Sequence, residues 1–416
     1  MNAVGNKPSA IVLSVAINGL ATVRGIAEAG IKVHAAIFTT KQAVYHSRRC
    51  EIIDLSGLER NEPALIDWLI QYSRRLGHRP VVIPTTDAHA LMLAKHQEQL
   101  KPYCRLFETR YNELQNIIHK NGLYQTAESA GVKAVPSIYE PNADEIEHWC
   151  QTHPGPYLLK PFHNGIKACA LRKKNFVLPD SQALQEYAAR YGTRALIIQQ
   201  LIKGGDGYVF DTYGFCDKEG HIVTMASHRR WRQDIPDFGV TSYGEIPVND
   251  PSIEATIFEQ TTRLLSSMHY HGIFGIEWIY DQSTGQYFLI DFNARPFSSI
   301  GHLKSCGLNL PLLAYQDLTG GDLLRVEARP TLRHSFWVDI LPDLYSFSEK
   351  KAQNKSSWSD WLRSVAACRD FAYWDIHDPG PGLYRLWQIF NLLFHAIWKR
   401  VRHHKEQLTH RITQQG

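Results

Sequence analysis

The chain has 416 residues, 44% hydrophobic, 21% charged and 11% aromatic, a length that suits two or three subdomains and a composition that excludes extended disorder. Its net charge of +4 is too small to point to nucleic acid. Seven widely spaced cysteines form no CxxC pair or zinc pattern, which fits a reducing cytoplasm, and no apolar run suits a signal peptide at Met1 to Ala10 or spans a bilayer.

In chain order, Ile11 to Ile17 is an apolar, β-rich run ending at Asn18-Gly19. A helical pattern follows through Val23, Ile26 and Ala27 to Gly30, and Ile31 to Phe38 is the next strand. This βαβ unit implies a parallel sheet. Glu51 to Leu55 and Val81 to Pro84 add strands, and Pro63 to Leu76 reads as a helix. The first hundred or so residues are thus Rossmann-like. Gly19, Gly25 and Gly30 lack the GxGxxG spacing, so no nicotinamide cofactor is expected.

From about Lys120 the pattern becomes α+β. Strands are expected at Tyr157 to Lys160, Ala195 to Gln200, Gly207 to Phe215 and Ile222 to Met225. Two more follow at Ile273 to Tyr280 and Tyr287 to Phe292, joined by a hairpin turn at Ser283-Thr284-Gly285. Glu277 and Asp291 interrupt that last apolar pair, and Asn293 shares a strand face with Asp291. Three oxygen donors converging from adjacent strands are hard-cation ligands, which suits magnesium with positions left for water and phosphate. Arg295, two residues further, is expected to project the same way and neutralise a transferring phosphate.

Lys160 ends an apolar strand before the loop Phe162 to Gly165, and Lys120 precedes a helix leading to Gly131. Both suit phosphate contact, with His163 a weaker candidate. Gln199, Gln200, Leu201 and Ile202 run from a strand toward a glycine turn, a hinge that can offer backbone groups to adenine, and Asp206 is placed for ribose hydroxyls. No GxSxG elbow or Cys/His pair is visible.

These pieces, with Ile83-Pro-Thr-Thr-Asp87, the Asn293-x-Arg295 tail, Pro296 to Gly301 and Gly307 to Pro311, resemble the ATP-grasp superfamily over residues 8 to 325. Within it, they are similar to the carboxylate–amine ligases of the D-aspartate ligase and carbamoyl-phosphate-synthase-like group. The resemblance implies an α/β fold. A Rossmann-like pre-grasp domain (1–115) would precede two α+β grasp subdomains (116–203 and 204–328) and a C-terminal extension with an amphipathic helix (329–416). It implies ATP and Mg2+, with Mn2+ as an alternative. Phosphates would meet Lys120 and Lys160, adenine Gln199 to Ile202, ribose Asp206, and the metal Glu277, Asp291 and Asn293. Gln199 and Gln200 stand where many members carry Glu, and Asp291 where Glu is commoner.

The implied reaction activates a carboxylate as an acyl phosphate and couples it to an amine, releasing ADP and phosphate. An ATP-grasp kinase or carboxylase is one alternative, and a non-catalytic nucleotide-binding membrane adaptor another. Arg232, in His228 to Arg232, is the resemblance's choice for a catalytic cation. The partners are small-molecule carboxylate and amine substrates. Residues 383–405 interleave apolar positions with a polar stripe and end in Lys and Arg, leaving open peripheral contact with the inner face of the membrane or packing on the chain's own core or a second subunit.

Overall fold

A computed structural model describes residues 7–39, 42–161, 175–321, 323, 326–354, 356–392 and 394. The loop Phe162 to Gly165 with His163, and residue 393 and residues 395–405 of the C-terminal stretch, lie outside the described residues.

The first sheet contains β1 (Ala10–Leu13), β2 (Val33–Ile37), β3 (Glu51–Asp54) and β4 (Val81–Pro84), ordered β3-β2-β1-β4 with every pair parallel. Strands β1 and β4 are apolar and buried on both faces because both are covered. Ala10, Val12, Ala35 and Ile83 enter one core, while Ile11, Leu13, Ala36 and Val82 enter another. The helix Ile17–Ala27 starts earlier than the sequence pattern suggests, so Asn18 and Gly19 lie inside it. A Cβ on Gly19 would stand 2.6 Å from the Ser14 carbonyl oxygen, which explains why the tight strand-to-helix turn carries glycine there. Ser14 itself has φ 68°.

The second sheet is antiparallel and small: β5 (Ser137–Tyr139), β6 (Tyr157–Pro161), β7 (Phe176–Leu178) and β8 (Leu196–Gln200), in the order β5-β8-β6-β7. The third has seven strands: β9 (Val209–Cys216), β10 (Ile222–Gln233), β11 (Thr241–Ile246), β12 (Gly272–Asp281), β13 (Gln286–Asn293), β14 (Ser335–Val338) and β15 (Asp370–Phe371). They are ordered β13-β12-β9-β10-β11-β14-β15. The chain passes from the small sheet to the large one at Leu201 to Tyr208, directly after Gln199 and Gln200 at the end of β8.

Two findings change the reading of the chain. β10 runs on to Gln233, so the basic segment His228 to Arg232 is strand. The segment after residue 329 adds β14 and β15 to the large sheet's edge. It is clamped to the first helix by Asp378, fully buried, which accepts from Arg24 Nε at 2.9 Å. Among the described residues no helix is long and apolar enough to cross a membrane.

Candidate active site

The site forms where the hairpin of β12 and β13 meets the helix Lys120–Ser129. Glu277 lies directly opposite Asp291, and Gly275 opposite Asn293. Between Trp278, which faces Leu289, and Glu277, which faces Asp291, the register slips by one residue. Ile290 is the extra residue of this β-bulge, and such a residue leaves the ladder. Its carbonyl oxygen is taken instead by Lys120 Nζ at 2.9 Å and by the Tyr124 hydroxyl at 3.0 Å. Lys120 Nζ also lies 3.1 Å from Asp291 Oδ1. One bulge therefore re-aims Asp291 and seats the lysine.

Electrostatics follow from this packing. The surrounding protein pushes the Asp291 carboxyl up, but Lys120 and, further off, Lys160 outweigh it and hold the group below the usual carboxylate range. Burial pushes the Lys120 ammonium down. Asp291, Tyr124 and Glu277 reverse that and hold it well above its ordinary value, so it stays charged. Lys160 lies one residue before the end of β6, and its charge is felt at Asp291 across the gap between the small and the large sheet.

Glu277 Oε1 accepts from Asn293 Nδ2 at 2.9 Å and lies 2.8 Å from Arg230 Nη2. Arg230 also binds Asp211 through Nε at 2.9 Å and through Nη2. His228 Nδ1 stands 2.7 Å from Asp211 Oδ2. Arg230 and His228 hold the buried Asp211 carboxyl down to about 2 against the upward push of burial. Asp291, Glu277, Asp211 and His228 are paired in turn across β13, β12, β9 and β10, giving a continuous row of charged and polar groups.

The donor set suits a divalent hard cation. It offers two carboxylates and an amide oxygen on adjacent strands, with Glu277 and Asn293 already within hydrogen-bond reach of each other. Among the described residues no group of three or more His, Cys, Asp or Glu is placed to hold a metal. The remaining ligands of an ion here would be water and phosphate oxygens.

Other candidate residues have different surroundings. Gln199 is buried, and its side-chain amide donates to Tyr124 (3.2 Å) and Ser137 (2.8 Å). Gln200 donates to the Pro154 carbonyl at 3.1 Å. The Leu201 N–H donates to the Pro156 carbonyl at 2.8 Å, and the Ile202 carbonyl accepts from the Gly204 N–H at 2.9 Å. The Asp206 side chain is buried and ion-paired to Lys350, with Gln233 Nε2 at 3.1 Å. Its carboxylate is thus engaged by the C-terminal segment.

β13 ends at Asn293, so Arg295 lies past the strand. It pairs with Asp87, at the start of the helix after β4, Nε to Oδ1 2.9 Å. Nearby, Asn18 Nδ2 donates to the Thr85 carbonyl (2.8 Å) and the Pro296 carbonyl (2.9 Å).

Arg232 is the clearest departure from expectation. It forms a two-pronged pair with Asp343, both contacts 2.8 Å, and donates to Ser364 at 3.0 Å. Arg230 faces Gly244 while Arg232 faces Tyr243, so two steps on β10 match one on β11. Adjacent residues of a strand point to opposite faces. This bulge at Trp231 therefore sends Arg232 to the C-terminal helices and leaves Arg230 with the acids.

Sequence reasoning placed His228 and Arg230 in the candidate basic segment but preferred Arg232, quoted Asp87 only within a motif, and passed over Asp211 and Tyr124. The signal for Asp211 was the alternation Asp211/Tyr213 and His228/Arg230 on strands already half recognised.

No family model matches the chain. It is similar to the D-aspartate ligase of Enterococcus faecium (strain Aus0004), 22% identical over 336 residues that cover 76% of this chain and 78% of that protein. Among solved structures it resembles N5-carboxyaminoimidazole synthetase from Staphylococcus aureus, with TM-score 0.61 and 15% identity over 85% of this chain and 89% of that one. It also resembles an L-amino acid ligase from Bacillus licheniformis, with TM-score 0.59 and 16% identity over 80% and 79%. At these identities the structural likeness establishes the fold.

Proposed function

We propose that this chain, which has the ATP-grasp fold, is an ATP- and magnesium-dependent ligase that activates a carboxylate and joins it to an amine. The observation that carries the reading is the convergence of Lys120 and Asp291 with Glu277, Asn293 and Arg230 at one end of the β12–β13 hairpin. The similarity to a protein named for ligating D-aspartate supports it independently.

In this reading residues 116–203 and 204–328 are the two walls of a nucleotide cleft, with Gln199 to Ile202 at its hinge and Asp206 near the ribose. Lys120 and Lys160 bind phosphate oxygens. Arg230 and Arg295 are the cations available to the charge that builds up on the transferring group, Arg230 from inside the sheet and Arg295 from the border with the first domain. Glu277, Asp291 and Asn293 would hold Mg2+, or Mn2+, which supplies charge neutralisation between phosphates when bound.

A substrate carboxylate oxygen forms a bond to the γ-phosphorus of ATP, and ADP leaves. An amine then attacks the acyl carbon, loses a proton, and phosphate departs. Such chemistry is served by positioning and preorganised positive charge, with no side-chain nucleophile.

Release of ADP and phosphate from ATP and magnesium, with pooled amino acids and uronic acids, tests this. The expected result is release that requires one carboxylate together with one amine. It should fall about a hundredfold or more in Asn293→Ala, as when a preorganised group at the reacting centre is lost. Release indifferent to both substrates would remove the ligase reading. The reading also includes a cytoplasmic location with peripheral contact at the inner face of the membrane, supported by exposed apolar residues on the helix 380–392.

A further inference from the structure

Far from the acid pair in sequence, a cavity of about 320 Å3 lies between the helix 380–392 and the body of the protein. Its wall is mainly apolar and includes Val338, Ile340, Phe371, Ala372, Leu386 and Ile389. That volume falls at the lower end of the range for small-molecule pockets. Arg385 and Asp339 also line it, with Arg385 Nη2 3.7 Å from Asp339 Oδ1 and the guanidinium resting on the Tyr373 ring; among the described residues the buried Arg385 Nε has no hydrogen-bond partner. A ligand suited to these walls has an apolar body and an oxygen acceptor for one arginine N–H.

The outer side of the same helix narrows the class. Leu383, Leu386, Trp387, Phe390 and Phe394 recur at three- and four-residue steps, and all are half exposed or more. A helix on a protein surface normally turns its polar side outward; this one turns an apolar stripe. Leu386 belongs to both the stripe and the cavity wall, and the half-exposed Trp374 also lines the cavity, so the cavity opens beside the stripe.

Charge then selects the occupant. Residues 395–416 contain five Lys and Arg against one Glu, a surplus equal to the net charge of the whole chain. These residues follow the helix in sequence; a second copy would carry the same positive surplus, whereas an anionic bilayer complements it. We propose that the cavity holds an acyl chain of an anionic lipid while the helix 380–392 lies on the bilayer surface. The inference rests on the peripheral contact proposed above and adds a specific lipid site to it.

The test is flotation of the full chain with phosphatidylcholine vesicles, with and without phosphatidylglycerol, alongside thermal unfolding in the presence of decanoate. Ala372→Trp fills the cavity and leaves the outward stripe intact. The expected result is that the wild type floats only with phosphatidylglycerol, that Ala372→Trp lowers its apparent affinity about tenfold, and that decanoate raises the unfolding midpoint of the wild type alone. If both proteins float equally and decanoate shifts neither, the lipid site is overturned while the surface contact stands. If the wild type stays at the bottom and sediments as a dimer, both are overturned and the stripe is an interface between copies. Should Ala372→Trp fail to fold, absence of a decanoate shift in the wild type still overturns the site.

Discussion

Arg230 and Arg232 stand two residues apart in β10, and one bulged residue decides what each can do. Arg230 meets Asp211 and Glu277, while Arg232 meets Asp343, which also accepts from Ser242 and from Trp361 Nε1. Arg232→Met should therefore cost about 3–5 kcal/mol in urea unfolding, the range for breaking a buried ion pair, and leave ADP formation per folded molecule nearly unchanged. Arg230→Met should instead lower ADP formation about a hundredfold or more, the scale of a lost preorganised donor. Equal loss of turnover in both variants would contradict the assignment. The acid–amide set Glu277, Asp291 and Asn293 was legible in the sequence because polar residues break an apolar alternation at fixed spacing. The choice between two arginines was not, because a bulge leaves no mark in that alternation.

At the scale of elements, the β12–β13 hairpin was legible almost to the residue, since its apolar period and its glycine turn agree. β10 was read only to Met225 because the polar run His228 to Arg232 faces charged groups rather than an apolar core. β11 escaped altogether. Its Gly244 has a structural reason: a Cβ there would stand 2.4 Å from His228 Nε2 and 2.8 Å from the Arg229 carbonyl oxygen. Gly244→Ala should displace His228 from Asp211 and cost about 1–3 kcal/mol, as overpacking does, measured by thermal unfolding. An unchanged midpoint would mean that the two strands can part at little cost.

For the whole molecule, the sequence places residues after 329 beyond the catalytic core, yet the structure ties them to it through Asp378, Asp343 and Lys350. Contacts such as Arg24 to Asp378 join positions 354 apart, a separation that local pattern cannot reveal. The same interior makes stability depend on pH. Burial, with a contribution from His228, outweighs the opposing backbone of Ser335 and holds the His302 imidazole well below its usual value of 6.5. Below pH 6.5 the unfolded chain takes up a proton that the folded chain refuses, so stability is lost as the pH falls through that value. His302→Leu should flatten this acid limb in urea unfolding, and an unaltered limb would place the sensitivity elsewhere.

The most direct measurement follows oxygen from the carboxylate during turnover. With heavy-oxygen-labelled carboxylate substrates, ATP, magnesium and an amine, the account predicts one labelled oxygen in each phosphate released alongside the coupled product. ADP formation with unlabelled phosphate and no coupled product would mean that ATP is merely hydrolysed, and would contradict carboxylate activation at this site.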